Sequence, residues 1–183
     1  MNPLTHKFLA DKVYSQLNKE SQLILSRKSL IWGSVRPDFI KHSIPHFKER
    51  GVQPFYSKYK KIDQNITKLS IKELSIELGQ IFHYICDYFC HAHNKRKLIK
   101  KTRLHILNEI KLQRFIQNTN FNFINIKLNN YDEQLFEDII EKEYTKFIND
   151  SFNFKNDLMY SYKICVIAMR KILSNIKKKS SIA

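Results

Sequence analysis

Three glycines and four prolines in 183 residues leave this chain very few places to turn. Strands and hairpins need such punctuation every few residues, whereas helices need it only at their ends. The scarcity therefore predicts long helices, an all-α fold, and a bundle rather than a sheet. The length suits one domain, residues 1–183, and a hydrophobic content of 43% is enough to fill a sizeable core.

The densest chemistry lies in one stretch, Leu78 to Glu109, LGQIFHYICDYFCHAHNKRKLIKKTRLHILNE. It holds His83, His91, His93 and His105, with Asp87 four residues after His83 and Glu109 four after His105. At about 100° per residue, positions i and i+4 share one helical face. Two successive His-x-x-x-acid pairs thus resemble two metal half-sites on two helices. A lone pair of this kind is common by chance. Here Ile81, Phe82, Tyr84, Ile85, Tyr88 and Phe89 surround the first pair with apolar bulk, and a buried carboxylate beside an imidazole needs a partner. Imidazole with carboxylate is a zinc ligand set. On a continuous helix through His93, that histidine points about 80° away from His83, on the side opposite Asp87. The expectation is that His93 joins His105 and Glu109 on a second ion.

The series His83-x3-Asp87-x5-His93-x11-His105-x3-Glu109 resembles the core of the zinc-dependent phospholipase C family, the bacterial phosphatidylcholine-hydrolysing enzymes and alpha-toxin-like proteins. Upstream, GSVRPDF with Asp38, IPHF with His46 and THKFLA with His6 match the family's preceding ligand segments, in order. The resemblance is clear from Thr5 to Glu109, the ligand region 5–109, and only generic over the helical scaffold 131–178. It implies a single helical domain like that of the zinc phospholipases and zinc nucleases. It implies one Zn2+ held by Asp38, His46, His83 and Asp87, and a second by His93, His105 and Glu109. A third would be held by His6 and a bridging Asp87, with Asp38 as the catalytic base. In secreted relatives an N-terminal tryptophan also binds this third ion through its amine and carbonyl; here the first residue is Met1. His91 is expected outside the ligand set, in a supporting or exposed position, and His42 is expected exposed.

Along the chain, Thr5 is read as the cap of a first helix, followed by a second over Gln22–Ile31. A loop is expected at 33–47, and an irregular or short helical piece over Gly51–Asn65. A central helix starts at Ser70 with Glu73 in a capping box and continues to Asn94, and another spans Leu98–Gln117. An extended connection fills 118–130, and two amphipathic helices cover 131–149 and 153–177. The net charge is +15, with basic runs at Lys95–Arg103 and Lys177–Lys179, the latter read as a frayed end. Such a charge attracts anionic lipid surfaces and nucleic acid. Cys86, Cys90 and Cys165 form no disulfide framework and are expected reduced and buried. No signal-like or membrane-spanning stretch is visible, which points to a cytoplasmic protein.

These features favour an enzyme, a zinc-dependent phosphodiesterase acting on a phospholipid, with a membrane surface as its partner. Two other readings fit the same residues: a zinc-dependent nuclease or nucleotide phosphoesterase, and a non-catalytic zinc-stabilised helical protein that binds anionic membranes.

Overall fold

The computed structural model describes residues 1–40, 48–94, 102–119, 131 and 134–180. Among them every regular element is helical: α1 (Pro3–Ser15), α2 (Lys19–Leu23), α3 (Arg27–Phe39), α4 (Lys48–Asn65), α5 (Ile71–Tyr88), α6 (His91–Asn94), α7 (Thr102–Asn118), α8 (Phe136–Asn149) and α9 (Phe154–Ser180). The all-α expectation holds. No described helix is long and apolar enough to cross a membrane.

The organising element is α5. It opens on the expected capping box: the Ser70 side chain accepts from the Glu73 amide, and the Glu73 carboxylate accepts from the Ser70 amide. Two orphan donors are thereby satisfied at its start. From Leu78 to Tyr88 every residue is buried, so this part of α5 has no solvent face and needs neighbours on all sides. It has them in α1, α3, α4 and α9.

The closest of these crossings is with α3, and two glycines permit it. A Cβ on Gly33 would lie 2.2 Å from the Ile76 carbonyl oxygen, and one on Gly79 would lie 2.2 Å from that of Leu30. Any side chain at either position would force the backbones apart.

Several expected boundaries move. Asn2, not Thr5, caps α1, accepting from the Thr5 amide at 2.9 Å, with Pro3 already in the first turn where its missing N–H costs nothing. The single helix expected over Gln22–Ile31 is two, α2 and α3, broken at Ser26, whose side chain caps α3; Leu23 points outward. The loop expected from Gly33 is instead the second half of α3, which continues through Pro37 to Phe39. The stretch Gly51–Asn65, expected irregular or a short helical piece, lies within the longer helix α4, where Phe55, Tyr56, Tyr59 and Ile62 form one buried stripe. The central helix ends at Tyr88 rather than Asn94. The C-terminal lysines are helical rather than frayed: Lys177 reaches Glu20 at 3.3 Å and Lys179 the Asp63 carbonyl at 2.5 Å. All three cysteines are free and buried, as expected. The connection expected over 118–130 and the run Lys95–Lys101 fall almost wholly outside the described residues.

Candidate metal centre

His83 and Asp87 lie one turn apart near the C-terminal end of α5, 0% and 3% exposed. Their side chains do not simply pair. His83 Nδ1 is 3.0 Å from the Ser34 carbonyl of α3. A carbonyl can only accept, so Nδ1 carries a proton, and in the neutral ring Nε2 presents a lone pair. That lone pair faces oxygen: Asp87 Oδ2 at 3.3 Å and Asp38 Oδ1 at 4.0 Å. Three electron-rich atoms converge there. A cation between them resolves the conflict, and fixing a ligand histidine by its other ring nitrogen is how protein metal sites are built.

His6, from α1, stacks on His83 with ring centroids 4.1 Å apart. Its Nε2 lies 3.3 Å from Asp87 Oδ1 and 3.1 Å from the Met1 carbonyl oxygen. Burial, then the neighbouring His83, push the His6 pKa down to about 3, outweighing the pull of Asp87, so its ring is neutral. One ligand atom from each of His6, His83 and Asp87 can be chosen such that all lie within 4.8 Å of one another.

His93 completes the arrangement in a way helical spacing did not predict. At Phe89 the backbone leaves the helix, with φ −91° and ψ 32°, and α6 restarts two residues later. The break swings His93 back, so that Nε2 is 3.6 Å from both Asp87 Oδ1 and Glu109 Oε1. The expectation that His93 points away from Asp87 therefore fails with its premise of one continuous helix, while its neighbourhood with Glu109 holds. Glu109 comes from α7, which is tied to α1 by Asn2 and Thr5 bonding the Glu109 carbonyl and the Gln113 side chain.

The main chain of Met1 also belongs to the centre, with its amine against Asp87 Oδ1, 2.9 Å from His93 Nε2 and 3.5 Å from Glu109 Oε1. Burial works against its charge, but Asp87, Cys90 and Glu109 outweigh that and hold its pKa up at about 11. Asp87 is held well below the usual carboxylate range: burial opposes ionisation, and His93, the amine, His83 and His6 together overcome it.

The spacing of these atoms is informative. Zinc–ligand bonds of about 2.0–2.2 Å place neighbouring atoms of a tetrahedral site about 3.3–3.6 Å apart. Four of the five imidazole–carboxylate separations given above, 3.3, 3.3, 3.6 and 3.6 Å, fall in that range, and His83 to Asp38, at 4.0 Å, lies just beyond it. They are too long for charge-assisted hydrogen bonds, which run about 2.7–2.9 Å. The donor set, imidazole nitrogen with carboxylate oxygen, is also one that zinc takes, so the residues fit the ion.

Asp38 stands at the C-terminal end of α3 with its side chain 23% exposed, the most open of these groups, and Glu109 follows at 18%. His42 and His46 lie outside the described residues, and so does the His105 side chain, although its backbone is on α7 one turn before Glu109. His91 is not exposed: it is buried, with Nδ1 2.5 Å from Asp157 Oδ1 on α9 and its ring against Phe147 and Phe152. Sequence reasoning missed Ser34, Asp157 and the role of the Phe89 break. Only the break lies near the motif, and it carries no glycine or proline to announce it.

A family model, zinc dependent phospholipase C, matches residues 5–163, a span containing His6, Asp38, His83, Asp87, His93 and Glu109. The chain belongs to the zinc-dependent phospholipase C family. No curated protein and no solved structure matches it. Membership and the His6–His83–Asp87 cluster together support zinc binding and phospholipase-type function.

Proposed function

We propose that this zinc-dependent phospholipase C family member hydrolyses a phospholipid or closely related phosphodiester at a multinuclear zinc centre. The observation that carries the proposal is the set of 3.3–3.6 Å separations around Asp87, together with a partly open carboxylate at Asp38. Asp38, His46, His83 and Asp87 would hold one ion. His93, His105 and Glu109 would hold a second. His6 and Asp87, with the Met1 main chain beside them, would hold a third. Zinc bound there would neutralise phosphate oxygens and bring the pKa of a water toward about 7.

The protein's own groups do the rest. The Ser34 carbonyl fixes the tautomer and direction of His83. Burial of His6, His83 and Asp87 keeps bulk water from the inner side of the centre, so substrate enters past Asp38 and Glu109. Asp38 would orient the attacking water and accept its proton, a reading supported by its partly open side chain beside His83. Glu109 acts as a ligand rather than in proton transfer. The same reading takes residues 1–183 as one domain, since helices from both ends of the chain pack on α5.

The test is turnover by zinc-loaded protein on phosphatidylcholine, a chromogenic phosphodiester and single-stranded DNA, beside an Asp38→Asn control. Release of a phosphorylated head group by the wild type alone is expected. Release of nucleotides without any lipid product would transfer the proposal to a nuclease, and no turnover above the control on any substrate would refute an enzyme.

A further inference from the structure

Helix α7 has two unlike faces. Inward it carries Glu109 toward the metal centre, with Leu112 and Ile116 buried at 2% and 7%. Outward it exposes Leu104 at 41%, Ile106 at 48%, Leu107 at 50% and Ile110 at 40%. Between these on the same outer face lie exposed Arg103, Lys111 and Arg114. Glu109 is the single acid in the α7 sequence, and it faces in. Large apolar side chains interleaved with cations and unmixed with carboxylates are unlike an ordinary solvated helix face. That of α8, for comparison, exposes Asp138 and Glu141 beside Lys142 and Lys146.

A second exposed apolar pair, Phe39 at 66% and Ile40 at 40%, directly follows Asp38. The two most open groups of the centre, Asp38 and Glu109, are thus each succeeded in the chain by outward-facing apolar residues.

We infer that the outer face of α7, with Phe39 and Ile40, seats the protein on a bilayer surface containing anionic lipid, with the entrance to the metal centre turned toward the head groups. This deepens the proposed phospholipase reading and rests on it for its substrate. The apolar residues would enter the interfacial region while Arg103, Lys111 and Arg114 meet lipid phosphates. Charge alone would suit nucleic acid equally; the interleaved leucines and isoleucines favour a bilayer.

The experiment is co-sedimentation of zinc-loaded full chain with vesicles of phosphatidylcholine alone and of phosphatidylcholine with phosphatidylglycerol. It compares the wild type, L107S/I110S and K111E/R114E, with thermal melts to confirm folding. Preferential binding to the anionic vesicles is expected, weakened about tenfold or more by either pair of substitutions. Phe39→Ser provides a reading away from α7 should one pair fail to fold. Binding unchanged by the apolar pair would overturn the inference. So would wild-type self-association in sedimentation that the apolar pair abolishes, or retention on single-stranded DNA but not on vesicles. Hydrolysis of a short-chain, water-soluble phosphatidylcholine by the wild type is measured separately. Vesicle binding without such turnover leaves the docking face standing and removes the hydrolase, and turnover with vesicle binding indifferent to α7 does the reverse.

Discussion

Two buried histidine–aspartate groupings lie on either side of the break at Phe89, and they are built on opposite plans. His91 and Asp157 meet one to one, Nδ1 to Oδ1 at 2.5 Å, with the His91 amide adding a longer contact to the same oxygen at 3.4 Å. Phe147 and Phe152 close over the ring. Asp87 instead has the Met1 amine against Oδ1 and the nitrogens of His6, His83 and His93 around it at 3.3–3.6 Å, none of the three imidazoles close enough for a strong hydrogen bond. The first grouping is complete as a hydrogen-bonded pair that pins α6 to α9. The second gathers three imidazoles and the Met1 amine around one carboxylate, at imidazole separations that suit shared ligation of a metal ion better than pairwise hydrogen bonds. Distance and the number of converging ligands, rather than residue type or burial, separate a metal centre from a structural pair.

The sharpest way to break this contrast is to remove each aspartate in turn. Asp87→Ala should strip zinc and lower hydrolysis by more than about a hundredfold, since even residues that merely orient metal ligands cost about 10–100-fold. Elemental analysis and a phosphodiesterase assay read the two effects. An Asp87→Ala protein that kept its full zinc complement would end the metal-centre interpretation.

Next in size is the glycine crossing on which the centre depends. Gly33→Ala places a methyl 2.2 Å from the Ile76 backbone oxygen, which has no flexible end to move aside. The helices must separate, carrying Asp38 and the Ser34 carbonyl away from His83. A loss of about 3 kcal/mol or more in chemical denaturation is expected, with weaker zinc binding alongside. A variant of unchanged stability would mean that α3 and α5 are farther apart than described.

Asp157→Asn tests the other grouping. It leaves the His91 ring buried against a poorer acceptor, and a loss of about 2–3 kcal/mol is expected in denaturant titrations. Zinc stoichiometry at saturating metal should stay as in the wild type. Loss of an ion in this variant would show that the two groupings are not separable and that His91 acts through His93.

How much of this was readable beforehand follows from where each signal sits in the chain. The capping box at Ser70 and Glu73, the apolar run around His83, and the i, i+4 pairing of His83 with Asp87 are local, and each appears where the residues suggest. Pro37 lies inside a helix where its residue type suggests a loop, for a physical reason. Proline usually stops a helix, yet near the end of α3 few turns remain to disrupt. Gly33 was read as a terminator although its function is close approach, which only the partner helix reveals. The turn at Phe89 lacks any usual breaker, and the Asp157 partner of His91 is 66 residues away. Such long-range complementarity leaves no periodic trace.

A third buried acid supplies the smallest and most selective test. Glu143, 1% exposed, takes Lys146 and Lys163 at 2.7 Å each and the Tyr131 hydroxyl at 3.3 Å. Burial opposes its ionisation, but the two lysines prevail and hold its pKa below the ordinary 4.5. A carboxyl with a depressed folded pKa contributes stability that is fully present above the unfolded value and disappears as pH falls through the folded one. Glu143→Gln should therefore cost about 1–2 kcal/mol at pH 7, tempered by the solvent reaching Lys146, and the gap from wild type should close as the pH drops below 4.5. Ligands of the metal centre also protonate in acid, releasing zinc and stability together. Repeating the titration with chelator separates the two. The Glu143 gap should be the same with or without metal, because this acid is satisfied by the protein's own cations, whereas the acid loss traceable to Asp87 should shrink once zinc is gone. A Glu143 gap that vanished with chelator would mean that the α8–α9 contact and the metal centre are energetically one unit.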